Sequence, residues 1–324
     1  MDTKSNLKIC SRAKVNMNVY YDDNYNISLG LLNHLHPFDG LKFKKVYQEI
    51  KNDSSVKIVN PSNATPLEEI LECASFLMKS LLTVKRVIFR ALEVPYIPLL
   101  PFSFIDKRVL FPMRWGIRGT LEASMDALSN KQICWNLSGG YHHASQDSAQ
   151  GFCVYNDIGI SYEKLIKQGL LTSSDKVLII DIDAHHGNGN ANWFYENNNI
   201  TLLDIYNADI YPMTHSSRER VDISIPLPQN TIGSDYLNQL EPALNKLSRD
   251  FKLAFVVAGT DVLSSDPLGG LKLSIDECVK RDQMVFECLK NAAIPSVFVG
   301  GGGYSKDSSK AIIQSIKNIS KLSS

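Results

Sequence analysis

The sequence predicts an α/β fold built on a central, mostly parallel β-sheet flanked by helices. Three observations predict it. Short runs of β-branched and aliphatic residues recur along the 324-residue chain. They are continuously apolar rather than alternating, as strands buried on both faces require. Stretches with helical spacing lie between them, and polar, glycine-rich sequence follows several of the runs directly.

The first run, SSVKIVN, centres on Val56. Helical spacing then covers Pro66 to Met78 and Gly119 to Leu128. KQICWNLS places a strand at Cys134, followed by a helix from Ile158 to Gln168. DKVLIIDID and NITLLDIY place strands at Ile179 and Leu203. A helix from Tyr236 to Leu247 precedes FKLAFVVAG at Val256, and one from Ile275 to Lys290 precedes IPSVFVGGG at Val297. No repeat, low-complexity tract or linker divides the chain. One domain over residues 1–324 is expected, with 1–17 as a loosely ordered N-terminal segment.

Composition narrows the function classes. Hydrophobic residues make up 44%, enough for a sizeable core. Thirty-four Lys+Arg balance 34 Asp+Glu, which argues against a chain that coats nucleic acid. No apolar run approaches the roughly 18 residues of a membrane span. The polar start lacks the apolar stretch of a signal peptide. A soluble, intracellular, cytoplasmic protein is expected, and no Lys/Arg cluster points to nuclear import. The six cysteines are scattered without a C-x-x-C pair, so buried reduced thiols are expected rather than disulfides or a cysteine zinc site. Partner number is not legible.

In open parallel sheets, ligands bind outside the carboxyl ends of the strands. SGGYHHAS, DIDAHHGNGN, AGTDVLSSDPLGG and GGGGY all follow strands and would share one edge. Four of the seven histidines fall in two adjacent pairs, His142-His143 and His185-His186. An extended backbone puts Asp181, Asp183 and His185 on one side. Carboxylate with imidazole suits a borderline metal such as zinc, although a buried strand end with satisfied polar groups is the plainer reading. Asp261 is the natural third ligand of an open catalytic site; by itself it could equally be a helix cap or turn residue. A metal-bound water needs a base, and His142-His143 stand beside Gly139-Gly140, which permit close backbone approach. Tyr304 follows Gly300 to Gly303 and could donate to a carbonyl oxygen, or be an ordinary interfacial tyrosine. The glycine run lacks dinucleotide spacing and could be a tight turn.

The motifs GGYHH, GFCVYND, DIDAHHGNG, AGTD with DPLGG, and GGGY, in this order, resemble the zinc-dependent histone deacetylase family. Within it the chain is most similar to class IV, the histone deacetylase 11 type. YNISLGLLNHLHPFDGLKF, YNADIYP and AGTDVLSSDPLGGLKLS with VKRDQMVF carry that closer likeness. The resemblance runs from Val19 to Ile319. It implies a three-layer arginase/deacetylase-like fold, with zinc, or iron(II), bound by Asp183, His185 and Asp261. It implies His143 as general base and acid, His142 as its electrostatic partner, Asp181 as support for His142, and Tyr304 as the group polarising the carbonyl. Gly151, Phe152, Tyr211 and Leu268 would line a channel for an acyl-lysine stem. A potassium ion would sit near Asp181, Asp183 and His185, with Asp204 where a serine is usual. Asn188 stands where class I has an aspartate, so His143 should deprotonate more easily. His186 would be structural, His36 near the mouth, and His215 at the surface or rim.

The implied activity is hydrolysis of the amide of N-ε-acyl-lysine, acetyl or longer fatty acyl, in proteins or peptides. Hydrolysis of small acetylated amines such as acetylpolyamines is the alternative, though such relatives often carry a long insertion. A dimanganese ureohydrolase would need another aspartate soon after His185, where His186 and Gly187 stand. A non-catalytic acyl-lysine reader would have lost a catalytic residue, and all are present.

Overall fold

A computed structural model describes residues 16–28 and 38–323. Eight strands form one sheet: β1 (Met17–Tyr20), β2 (Val56–Val59), β3 (Ile133–Asn136), β4 (Val177–Asp181), β5 (Ile200–Asn207), β6 (Ile223–Leu227), β7 (Leu253–Val257) and β8 (Ser296–Val299). Their order is β2-β1-β3-β8-β7-β4-β5-β6, and every pairing is parallel. The six strands expected from continuous apolar runs are all present. β1 and β6 were not anticipated. β6 is an edge strand whose burial alternates, so it lacks the continuous run of a strand covered on both faces. β1 offers only MNVY after a polar lead. Met17, the last residue of the segment expected to be loose, pairs with Val56; residues 1–15, and His36, lie outside the described residues.

The sheet separates two hydrophobic cores. Along β4, Leu178 and Ile180 face one core while Val177 and Ile179 face the other. The two-residue side-chain period explains why an unbroken apolar run is needed. Helices Lys42–Ile50, Gly233–Asn245, Ile275–Asn291 and Ser308–Leu322 close the first core. Helices between Leu67 and Asn130, with Asp157–Lys167, close the second. The result is three layers.

Two helix expectations need correction. The stretch from Pro66 to Met78 is two helices, Leu67–Cys73 and Phe76–Leu81. Ala74 is extended, and Ser75 caps the second helix by accepting from the Met78 N–H at 3.3 Å. The stretch Gly119–Leu128 lies inside a longer helix, Phe111–Asn130.

The four glycine-rich loops converge for a topological reason. They follow β3, β8, β7 and β4, which are consecutive neighbours in the sheet. Parallel pairing then delivers all four carboxyl ends to one edge.

Phe298 at this centre is fully buried and stacks on Trp135, with ring centroids 5.0 Å apart. Phe298→Ala is expected to lower unfolding free energy by about 3–5 kcal/mol, measured by urea denaturation. A loss below about 1 kcal/mol would mean this layer is not close-packed.

Candidate active site

β4 ends at Asp181, and its chain continues through Asp183 and His185; the chain after β7 carries Asp261. Asp183, His185 and Asp261 are buried and bring one donor atom each to within 4.8 Å of one another. His185 Nδ1 lies 2.7 Å from Asp261 Oδ2 and 3.3 Å from Asp183 Oδ1. Backbone groups fix the carboxylates as well. The Ala184 N–H donates to Asp261 Oδ1 at 2.9 Å, and the Gly302 N–H donates to Asp183 Oδ2 at 2.6 Å. Two carboxylates and an imidazole, converging and buried, match the donor set of a three-ligand zinc site with an open position.

Here the glycine run has a steric purpose beyond a turn. A Cβ on Gly302 would lie 2.1 Å from Asp261 Oδ2. One on Gly140, at φ +74°, would lie 2.6 Å from the Gly300 carbonyl oxygen. Backbone therefore packs against the Asp261 carboxylate and against backbone. Buried Lys42 holds the run from behind, its ammonium 3.1 Å from the Gly301 carbonyl and 4.6 Å over the Phe38 ring. Burial lowers its pKa to about 8.

The two histidines after β3 are differently held. His142 Nδ1 lies 2.8 Å from Asp181 Oδ2, and His143 Nδ1 lies 2.7 Å from Asn188 Oδ1. Burial works against a proton on His142, but Asp181 and Asp183 outweigh it and push its pKa up to about 9. Burial, with the charges of His142 and His185, holds His143 well below the usual histidine range. Asn188 accepts from Nδ1–H, so the lone pair of neutral His143 resides on Nε2. A neutral base thus stands beside a charged partner.

Gly151, Phe152, Tyr211 and Leu268 lie together in the structure. A cavity of about 230 Å³ is lined by Gly151, Phe152, Tyr211 and Leu268, with His143, His185 and Tyr304. Gly151 has φ +57°, and a Cβ there would meet the His143 ring at 2.5 Å. Tyr211 sits 5.2 Å from the His143 ring and donates to Gln150 Oε1 at 3.0 Å. The Tyr304 ring lies 5.7 Å from Phe152. Among the described residues, the Tyr304 hydroxyl makes no hydrogen bond, and burial raises its pKa well above 10. It is a proton-bearing donor facing the cavity.

Asp204 pairs with Asp181 in the β4–β5 register, and both line a small pocket with Gly187. Asp204 Oδ2 accepts from the Gly187 N–H and lies 2.6 Å from His186 Nδ1. Its other oxygen, Oδ1, is buried and has no hydrogen-bond partner among the described residues. An orphaned carboxylate oxygen beside a second carboxylate fits a cation. The side chains of Asp183 and His185 turn to the other cluster, so only their carbonyls remain for this one. His186 is fully buried between Asp204 and Ser217, a structural role, and His215 is exposed.

Three contributors were missed by sequence reasoning. Glu93, at φ 53°, stands on the channel rim. Asp157 accepts from the Gly140 and Tyr141 N–H groups, anchoring the double-histidine loop. Asp266 accepts from the Tyr304 and Ser305 N–H groups at 2.7 and 3.1 Å, aiming the tyrosine. The D-P-L-G-G and Y-N-D motifs contained the last two, but no spacing rule marks a carboxylate whose partners are distant backbone amides.

A protein-family model, the histone deacetylase domain, matches residues 103–319. Histone deacetylase 2 of Arabidopsis thaliana is 33% identical over 310 residues, spanning 94% of this chain and 79% of that protein. Histone deacetylase HDAC1 of Drosophila melanogaster is 34% identical over 188 residues, 54% of this chain and 34% of that longer protein. The crystal structure of the HDA15 HD domain superposes with a TM-score of 0.74 over 95% of this chain and 90% of its own, at 17% identity, a likeness of fold.

The site's charge makes a pH prediction for metal-free protein. Burial opposes protons on His185, but hydrogen bonds to Asp183 and Asp261 push its pKa up to about 10. His142 and His185 therefore contribute stability that is present below their unfolded value of about 6.5 and lost as pH rises through the folded values. Burial also raises Asp181 to about 6 and Asp261, with the Asp183 charge, to about 7, and these groups penalise the folded state as they ionise. His143 opposes this trend only below about pH 6.5, and Lys42, lowered to about 8, opposes it above that value as one group against the two histidines. The melting temperature in chelator should fall between pH 7 and 9. An unchanged melting temperature would rule out this proton inventory.

Proposed function

The chain belongs to the histone deacetylase family, and on that premise we propose that it hydrolyses the amide of N-ε-acyl-lysine in proteins or peptides. The observation that carries this reading is the buried Asp183, His185, Asp261 cluster next to a neutral histidine and the Tyr304 hydroxyl, at the base of an aromatic-walled cavity. A zinc ion, or iron(II), held by those three residues would supply Lewis acidity and an activated water.

The protein's own groups divide the remaining work. Phe152 and Tyr211 pack against the lysine stem, and Gly151 leaves the His143 ring room beside it. His143 Nε2 takes a proton from the attacking water and returns it to the leaving lysine amine. His142, fixed by Asp181, keeps its proton and supports the charge that develops. The Tyr304 hydroxyl donates to the scissile carbonyl oxygen as it becomes negative. Glu93 on the rim accepts from substrate backbone amides. Asp204 and Asp181 would hold a potassium ion, which would give the Asp204 Oδ1 oxygen a partner.

A second cavity of about 110 Å³ extends behind the site. Leu92, Ile105, Val109 and Met113 give it apolar walls. This space supports longer acyl groups besides acetyl, in keeping with the class IV motifs. A carboxylate at the mouth, Glu93, favours one second reading, hydrolysis of acetylated amines that carry another positive charge.

The test is turnover of one lysine peptide carrying acetyl, octanoyl or myristoyl, with acetylpolyamines in parallel, with and without chelator. Chelator-sensitive release is expected, and octanoyl and myristoyl should be cleaved as well as acetyl. No release from any peptide by metal-loaded protein would sink the reading. Tyr304→Phe should lower kcat by about a hundredfold or more with the fold intact. Unchanged turnover would remove Tyr304 from this role.

A further inference from the structure

Helix Ile275–Asn291 buries Cys278, Arg281, Asp282, Val285, Phe286 and Leu289. Four of these apolar positions form an ordinary core stripe. Arg281 is the anomaly, because arginine is almost never fully buried without a purpose. Its neighbour Asp282 anchors it, with Oδ1 accepting from Nε at 2.9 Å and from Nη2 at 2.7 Å. Ser315, on the next helix, donates to the other oxygen of Asp282 at 2.5 Å. The remaining nitrogen, Nη1, donates to two carbonyls, Ile182 and Gly259, each at 2.8 Å.

Those two carbonyls have a particular place. The β4–β7 ladder ends at the Asp181–Val257 pair. Beyond it the chains diverge to build the site. Ile182 lies between Asp181 and Asp183, and Gly259 lies two residues before Asp261. Among the described residues, neither carbonyl accepts a backbone N–H. A buried carbonyl without a donor is costly, so a substitute is required. Nη1 supplies one proton to each, joining the strand ends where their own ladder stops. Gly259 also touches a ligand directly, since a Cβ there would lie 2.0 Å from Asp183 Oδ2. The Tyr236 hydroxyl adds a third contact, to the Ile182 carbonyl at 3.3 Å.

We propose that Arg281 is a positioning residue for the metal site: its guanidinium clamps the Ile182 and Gly259 carbonyls and so fixes the spacing of Asp183 and Asp261. It never touches metal or substrate. The inference rests on the reading of Asp183, His185 and Asp261 as metal ligands. Lysine cannot replace it, because one ammonium cannot serve both carbonyls while forming the two-point contact with Asp282.

The experiment measures Zn2+ affinity of full-length protein by competition with a chromophoric chelator, well below the melting temperature of each variant. Thermal melting is recorded in parallel. Arg281→Lys is expected to weaken Zn2+ binding by about tenfold or more, the scale on which outer-sphere partners act. Ser315→Ala, which loosens only the Asp282 anchor, should weaken it by about threefold, and it decides the matter if Arg281→Lys does not fold. A lowered melting temperature with Zn2+ affinity unchanged in the folded variants would reduce Arg281 to a merely structural role and overturn the inference. Failure of the parent protein to bind Zn2+ would instead overturn the metal reading, and this inference with it.

Discussion

Four carboxylates, Asp181, Asp183, Asp204 and Asp261, are buried within one edge of the sheet. Like charges in a poorly polarisable interior repel strongly, and each also loses its hydration. The rest of the site answers this constraint. His142 and His185 are held protonated in metal-free protein by the carboxylates beside them. The Gly302 and Ala184 amides point their N–H groups at Asp183 and Asp261. Burial first, and then the same accumulation of positive charge, holds His143 as the one ring of these three that stays neutral.

Placement is mostly a matter of main chain. Asp157, Asp266 and Arg281 each use a buried charged side chain to bind backbone groups of a loop at the sheet edge. The distant partners among them lie 16 to 99 residues away in sequence, while Asp266 also accepts from the nearby Leu268 and Gly269 N–H groups. Charged groups of this kind cost much to bury, and they are tolerated when every hydrogen-bonding site on them is used. Side-chain geometry at the site is thus inherited from loops that are individually pinned. That arrangement suits a reaction in which misplacement by about 1 Å costs heavily.

How much of this could be read in the sequence differs by kind of signal. Strands covered on both faces, such as the one at Ile179, announce themselves through unbroken apolar runs. The edge strand β6 and the brief β1 carry no such mark. Adjacent histidines and D-x-D-x-H signalled the buried Asp183 and His185 cluster because such groupings are rare and their spacing is local. Gly151, Phe152, Tyr211 and Leu268 were named from the resemblance, and they line one cavity. Glu93 and Arg281 stayed hidden because charged residues are usually exposed. Only the fold reveals that one stands at a mouth and the other beneath a strand end. The break at Ala74 was missed for a related reason, since helical periodicity continues across it while Ser75 starts a new helix.

The two cores on either side of the sheet divide labour in a way that bears on how such a protein can change over time. The clustered carboxylates and histidines belong to loops at the sheet edge, where glycines touch Asp183 and Asp261 and almost no substitution is sterically possible. The rear cavity draws Leu92, Ile105, Val109 and Met113 from the helical layer of one core. Aliphatic walls of that sort tolerate exchange of one apolar residue for another. Selection can therefore resize the space behind the site while leaving the chemistry alone, so relatives with the same loops are free to diverge in what they accept.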